Sequence, residues 1–125
     1  MSGFVLDTGA LIALERADRR VMHTLLRTQR DGGRLALPAG VLAQAWRVSP
    51  RQARLAHLVG SPHVDVVPLD EQVALAAGAV LAESGGVDAV DASVVVCARQ
   101  RGQPVITSDV GDLRRLARDV NLLAV

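Results

Sequence analysis

The apolar run Phe4-Val5-Leu6 stops abruptly at Asp7-Thr8-Gly9, and the helical pattern Ala10-Leu11-Ile12-Ala13-Leu14 begins at once. Such a run reads as a strand buried on both faces, and the change of period directly after it reads as a strand-to-helix turn. The strand spans 4–7, so Asp7 emerges at its carboxyl end. Further apolar runs at 34–38, 64–68, 104–107 and 121–125 have the same character. Segments with helical periodicity fill the intervals. A short helix covers 9–15. A second opens at Asp18 and stops at Gly32-Gly33. A third runs over 39–47, and a fourth follows Ser49-Pro50 and closes at Gly60-Ser61-Pro62. A long helix is capped by Asp70 and stopped by Gly85-Gly86. Another opens at Asp88, is almost wholly apolar over 89–98 and ends before Gly102. A last one follows Ser108-Asp109 and carries Leu113 and Leu116.

Strands alternating with helices, with strands that are continuous apolar runs, predict an α/β fold with a parallel sheet covered on both faces. The length of 125 residues favours one domain over 1–125. The core must be aliphatic, because Phe4 and Trp46 are the only aromatic residues among Phe, Tyr and Trp. Base stacking on aromatic side chains is therefore a poor expectation, and Trp46 is expected in the core. No apolar run approaches the ~20 residues that cross a bilayer, and Met1-Ser2-Gly3 does not open a signal peptide. The lone Cys97 excludes an intrachain disulfide and suits a reducing cytoplasm. The formal net charge is +1, and every basic residue is arginine. Without a lysine, a phosphoacceptor domain of doubly wound type is disfavoured.

In open parallel sheets, ligands bind outside the carboxyl ends of the strands, where strand order reverses. Asp7 and Thr107-Ser108-Asp109 are both predicted at that edge. Asp88 and Asp91, three apart at a helix start, share one face of its first turn, and Asp109 and Asp112 repeat the spacing. Each carboxylate has an ordinary alternative as a helix cap or a partner of the helix dipole. Their convergence on one edge is what favours a site. Clustered carboxylates repel and persist when a cation neutralises them, and an all-oxygen set suits Mg²⁺ or Mn²⁺ rather than zinc. His23, His57 and His63 are scattered and read as surface residues. Such a site activates water and clamps a phosphodiester for hydrolysis. Thr8, Thr107 and Ser108 offer hydroxyls that could orient a ligand or simply cap local turns.

The stretches Val5–Leu14, Val90-Asp91-Ala92-Ser93-Val94-Val95 and Val105-Ile106-Thr107-Ser108-Asp109 with Asp112-Leu113 resemble, in order, the acidic motifs of PIN-domain ribonucleases. The likeness is strongest to VapC-type toxins of toxin–antitoxin pairs. The resemblance implies a single PIN domain, a three-layer α/β/α sandwich with a parallel five-stranded sheet. It also implies Mg²⁺- or Mn²⁺-dependent cleavage of RNA, a cognate antitoxin protein as partner, and a homodimer in the cytoplasm with no membrane association. Carried over residue by residue, Asp7, Asp91 and Asp109 are the metal-binding carboxylates. The family's second acidic motif normally has Glu where this chain has Gln44. A neutral amide can still offer its carbonyl oxygen, but it removes one charge and cannot act as a base. Asp88 is a candidate to compensate. Thr8, Thr107, Ser108 and Asp112 are expected in support, and Arg47, Arg99 and Arg114 are expected to hold flanking phosphates. The alternative is a catalytically weakened PIN-fold module that acts by binding an antitoxin or RNA.

Overall fold

A computed structural model of the chain describes residues 3–125, so the reading of Met1-Ser2 lies outside the described residues. Strands β1 (Gly3–Leu6), β2 (Arg34–Pro38), β3 (Val64–Val67), β4 (Val105–Thr107) and β5 (Leu122–Ala124) form one five-stranded sheet in the order β3-β2-β1-β4-β5. Every pairing is parallel. Helices α1 (Thr8–Glu15) and α2 (Arg19–Arg30) connect β1 to β2. Helices α3 (Ala39–Ala45) and α4 (Ala53–Val59) connect β2 to β3, and a 3₁₀ turn at Pro50–Gln52 leads into α4. Helices α5 (Glu71–Ser84) and α6 (Ala89–Arg101) connect β3 to β4, and α7 (Val110–Leu116) leads to β5. The result is the expected α/β/α sandwich.

The strands form where they do because the central ones must be dry on both faces. Val5, Leu6, Leu35, Ala36, Leu37, Val105 and Ile106 are all buried, whereas the edge strands β3 and β5 are largely half-buried. Burying one such side chain contributes roughly 1.5–3 kcal/mol. The middle of helix α6 is almost wholly apolar for the same reason: every residue from Ala92 to Ala98 is buried. Cys97 lies within that stretch, and burial pushes its thiol pKa up, which leaves it inert. No single helix among the described residues is long and apolar enough to cross a membrane.

The helix boundaries follow local chemistry. Asp18, Asp70 and Asp88 cap α2, α5 and α6 by accepting the backbone N–H groups of Val21, Val73 and Asp91. Gly85 and Gly102 end α5 and α6 in the left-handed region, at φ 74° and 62°. One boundary departs from the sequence reading. Helix α3 stops at Ala45 and does not reach Arg47. The buried amide of Gln52 accounts for this. Its Nε2 donates to the Ala45 carbonyl at 2.7 Å, and its Oε1 accepts the Arg47 N–H at 2.9 Å. The chain then passes through Val48 at φ 54°, a conformation that a β-branched residue adopts only when its surroundings impose it. Trp46, expected in the core, is consequently 37% exposed beside Ala39, Leu42, Ala43 and Val59.

Strand order reverses between β1 and β4. Their registers, Val5 opposite Val105 and Leu6 opposite Ile106, continue in a bond from the Asp7 N–H to the Ile106 carbonyl. The carboxyl ends of the two central strands therefore meet, and Asp7 and Thr107 face a common edge.

Candidate functional site

Asp7 leaves β1 in an extended conformation and becomes the N-cap of α1, its Oδ1 accepting the Ala10 N–H at 2.9 Å. The capping role open from sequence is therefore real, but it uses one oxygen. The side chain is only 4% exposed. Burial raises its pKa, and a hydrogen bond from Thr107 works in the opposite direction. The backbone N–H of Ala10 also favours the ionised form, and the charge of Asp109 opposes it.

Thr107 ends β4 fully buried, and its Oγ1 accepts the Asp109 N–H at 2.8 Å. One threonine thus ties the Asp7 carboxyl to the backbone that carries Asp109. Gly9 allows this closeness. A Cβ at Gly9 would sit 1.9 Å from Ser108 Oγ and 3.1 Å from the Ser108 backbone nitrogen. The turn after β1 and the turn after β4 can touch only because position 9 has no side chain.

Asp109 occupies the N-cap position of α7, yet its side chain makes no capping bond. Its carboxyl instead meets Asp112, one turn on, and that contact is the main reason its pKa is raised. Asp91 joins them from the first turn of α6. Carboxylate oxygens of Asp91, Asp109 and Asp112 lie within 4.8 Å of one another. The pKa of Asp91 is pushed up to about 6 by burial first, then by the charges of Asp88, Asp109, Asp7 and Asp112. Two oxygens opposite each other around Mg²⁺ stand about 4.2 Å apart at its usual bond lengths. Small side-chain rotations would let this trio share one such ion, and the all-oxygen, like-charged donor set fits a hard divalent cation.

The remaining sequence candidates sort by position. Asp112, expected only in support, is a full member of the close trio. Asp88 is not: its Oδ1 caps α6 on the Asp91 N–H, and it acts on Asp91 through charge alone. Gln44 reaches the edge, where Thr8 Oγ1 donates to its Oε1 at 2.5 Å. Arg47, just past the end of α3, folds back on the Ala43 and Trp46 carbonyls. Arg99 corrects the expectation of a phosphate contact. Helix α6 runs away from the acidic edge, and eight residues of helix separate the two ends by about 12 Å. At that far end Arg99 is held by Asp119 at 2.8 Å, beside Gln103 and Asn121. Arg114 remains exposed on α7. Two features had no readable signal: the Gln52 clamp, which links residues through side-chain contacts, and the left-handed Val48.

A parallel sheet of this strand order, with an acidic edge at its switch point, is the architecture of the PIN domain. The sequence pattern of that family, described as PIN domain, matches residues 4–119, and the chain belongs to the PIN domain family. Three solved structures share the fold. A chain of the DNA-bound VapBC structure from Salmonella typhimurium is 22% identical, with a TM-score of 0.70, and the match covers 99% of this chain and 98% of that one. VapBC2 from Rickettsia felis, bound to a DNA fragment from its promoter, gives 13% identity and a TM-score of 0.74 over 98% of both chains. A toxin–antitoxin complex from Klebsiella pneumoniae gives 16% and 0.72 over 97% of this chain and 96% of that one. A comparison with curated protein sequences finds no match.

Proposed function

We propose that the chain is a divalent-cation-dependent endoribonuclease, the toxin of a toxin–antitoxin pair. The observation that carries this reading is the convergence of Asp91, Asp109 and Asp112, with Asp7 beside them, at the switch point of a PIN fold. Asp7, Asp91, Asp109 and Asp112 would hold Mg²⁺ or Mn²⁺. When bound, such an ion activates water and offsets negative charge on phosphate oxygens.

The chain's own residues would do the rest. Thr107 holds Asp7 and Asp109 in one frame. Asp7 keeps one oxygen free of the cap, and its hydrogen bonds oppose the upward push that burial gives its pKa. Thr8 fixes the Gln44 amide, whose carbonyl oxygen is already engaged by the hydroxyl and whose NH₂ can donate to a phosphate oxygen or a water. The exposed Ser108 hydroxyl, held against Gly9, is a further donor at the same edge. An antitoxin partner is proposed from the fold shared with the VapBC and toxin–antitoxin structures. A homodimer and a cytoplasmic site of action belong to the same reading.

The second reading is a weakened module that binds without cutting, and Gln44 favours it because the edge lacks one acid. Incubating total RNA with purified protein separates the two. The nuclease reading expects fragments with Mg²⁺ or Mn²⁺, none with EDTA and none with Asp7→Asn. Identical products from wild type and Asp7→Asn would sink it.

A further inference from the structure

The end of α5 and the outer face of α7 enclose an open hollow lined by Ser84, Arg114, Arg115 and Arg118. The two elements pack closely here: a Cβ at Gly86 would lie 2.6 Å from Leu116 Cδ2. Arg115 donates to Asp112 at 2.7 Å, and Asp112 is itself one of the three clustered carboxylates. The basic hollow and the acidic edge therefore adjoin through a single ion pair. Among the described residues, neither Arg114 nor Arg118 has an acidic partner.

We infer that this hollow seats a backbone phosphate of the RNA strand flanking the bond to be cut, with Arg114 and Arg118 as its ligands. The inference rests on the nuclease reading and adds to it where the strand lies. A planar guanidinium matches a phosphate in bidentate fashion and stays charged at any working pH. The lining offers no apolar side chain, so a protein segment would find no pocket for the buried anchor that fixes a docked peptide. A phosphodiester needs none. Arg115 is occupied by Asp112 and acts mainly as the spacer between the two regions. Phosphate contacts carry no base information, so this contact positions the strand without selecting a sequence.

The test is binding without turnover. Fluorescence anisotropy of a labelled single-stranded RNA is measured in EDTA against salt concentration, for wild type, Arg114→Ala/Arg118→Ala and Arg19→Ala/Arg20→Ala. The last variant removes the same charge from the exposed start of α2. Losing two phosphate contacts lowers the salt slope by about 1.4 and weakens binding roughly tenfold, while the α2 variant stays near wild type. Cleavage of the same RNA by wild type with Mn²⁺ is scored separately. If wild type binds and cuts but Arg114→Ala/Arg118→Ala keeps its affinity and slope, the hollow is not the phosphate seat and the nuclease reading stands. Equal loss in both double variants reduces the effect to net charge and overturns the inference. A labelled poly-glutamate peptide that binds wild type as tightly as RNA, and is lost in Arg114→Ala/Arg118→Ala, marks a protein-docking surface and overturns it as well. Wild type that neither binds nor cuts RNA removes both readings.

Discussion

Thr8 Oγ1 donates to Gln44 Oε1 across 36 positions of sequence, at 2.5 Å. The bond links the first turn of α1 to the last turn of α3 at the edge where Asp7 ends the central strand. It also holds a neutral amide against Thr8, the residue next to Asp7. A carboxylate at 44 could accept the same hydroxyl, so Gln44→Glu should fold normally. It should bind Mn²⁺ about tenfold more tightly, a gain of about 1.4 kcal/mol, read by calorimetry. Unchanged affinity would mean that position 44 does not face the ion.

Gly9 is a matter of space. Its backbone does not need a positive φ, but Gly9→Ala puts a methyl group into Ser108. The Ser108 side chain can rotate away, yet its backbone nitrogen cannot. Overpacking of this sort costs about 1–3 kcal/mol, and the turn carrying Asp109 should shift. Chemical denaturation should show that loss together with weakened Mn²⁺ binding. Wild-type stability in Gly9→Ala would show that the two turns do not touch.

Gln52 holds the strained chain after α3. Gln52→Ala leaves the half-buried Ala45 carbonyl and the Arg47 N–H without their partner, a loss of about 1 kcal/mol for each bond. Because Val48 is already held at positive φ, the segment should relax. Faster backbone amide exchange at 45–48 is the expected readout, with little change in β1 or β4. Unchanged exchange would assign the conformation of Val48 to some other contact.

The pKa of Asp91, near 6, gives a pH dependence of definite sign. The folded value lies above the unfolded one of about 3.9. The native state thus holds more protons than the unfolded state between about pH 4 and 6, and stability falls as pH rises through that window. Burial raises Asp7 in the same direction, and contact with Asp112 raises Asp109 likewise. Ion pairs with Arg34 and Arg99 lower Asp65 and Asp119, so those two act below the window. In EDTA the melting temperature should therefore drop from pH 4 to about 6. Divalent affinity should climb over the same range, because the ligands must be ionised. A melting temperature that rises steadily through the window would contradict the cluster.

Much of this was legible in the sequence because it is written in periodicity. Strands such as Phe4-Val5-Leu6 and helices such as α6 declare their burial by composition, whereas the strand order β3-β2-β1-β4-β5 has no signal in the periodicity. The meeting of Asp7 with Asp109 was legible as well, since both sit directly after central strands. What could not be read depends on side chains reaching across the fold. Asp112 looked equivalent to Asp88, each being three residues from a candidate ligand. Only the uncapped geometry of Asp109 brings Asp112 into the cluster, while Asp88 spends its oxygen on a backbone N–H. Arg99 looked available because periodicity does not say which end of a helix faces the site. Trp46 looked like core because the Gln52 clamp that ends α3 early has no local signature.

The central claim is that the carboxylates at the β1–β4 edge form one cation site. Calorimetric titration of Mn²⁺ into wild type and Asp91→Asn at neutral pH tests it most directly, since Asp91 feels the charge of every other member. Saturable binding by wild type, with proton release, and loss of at least tenfold in affinity in a normally folded Asp91→Asn is the predicted result. Equal binding by the two proteins, or no binding by wild type, would contradict it.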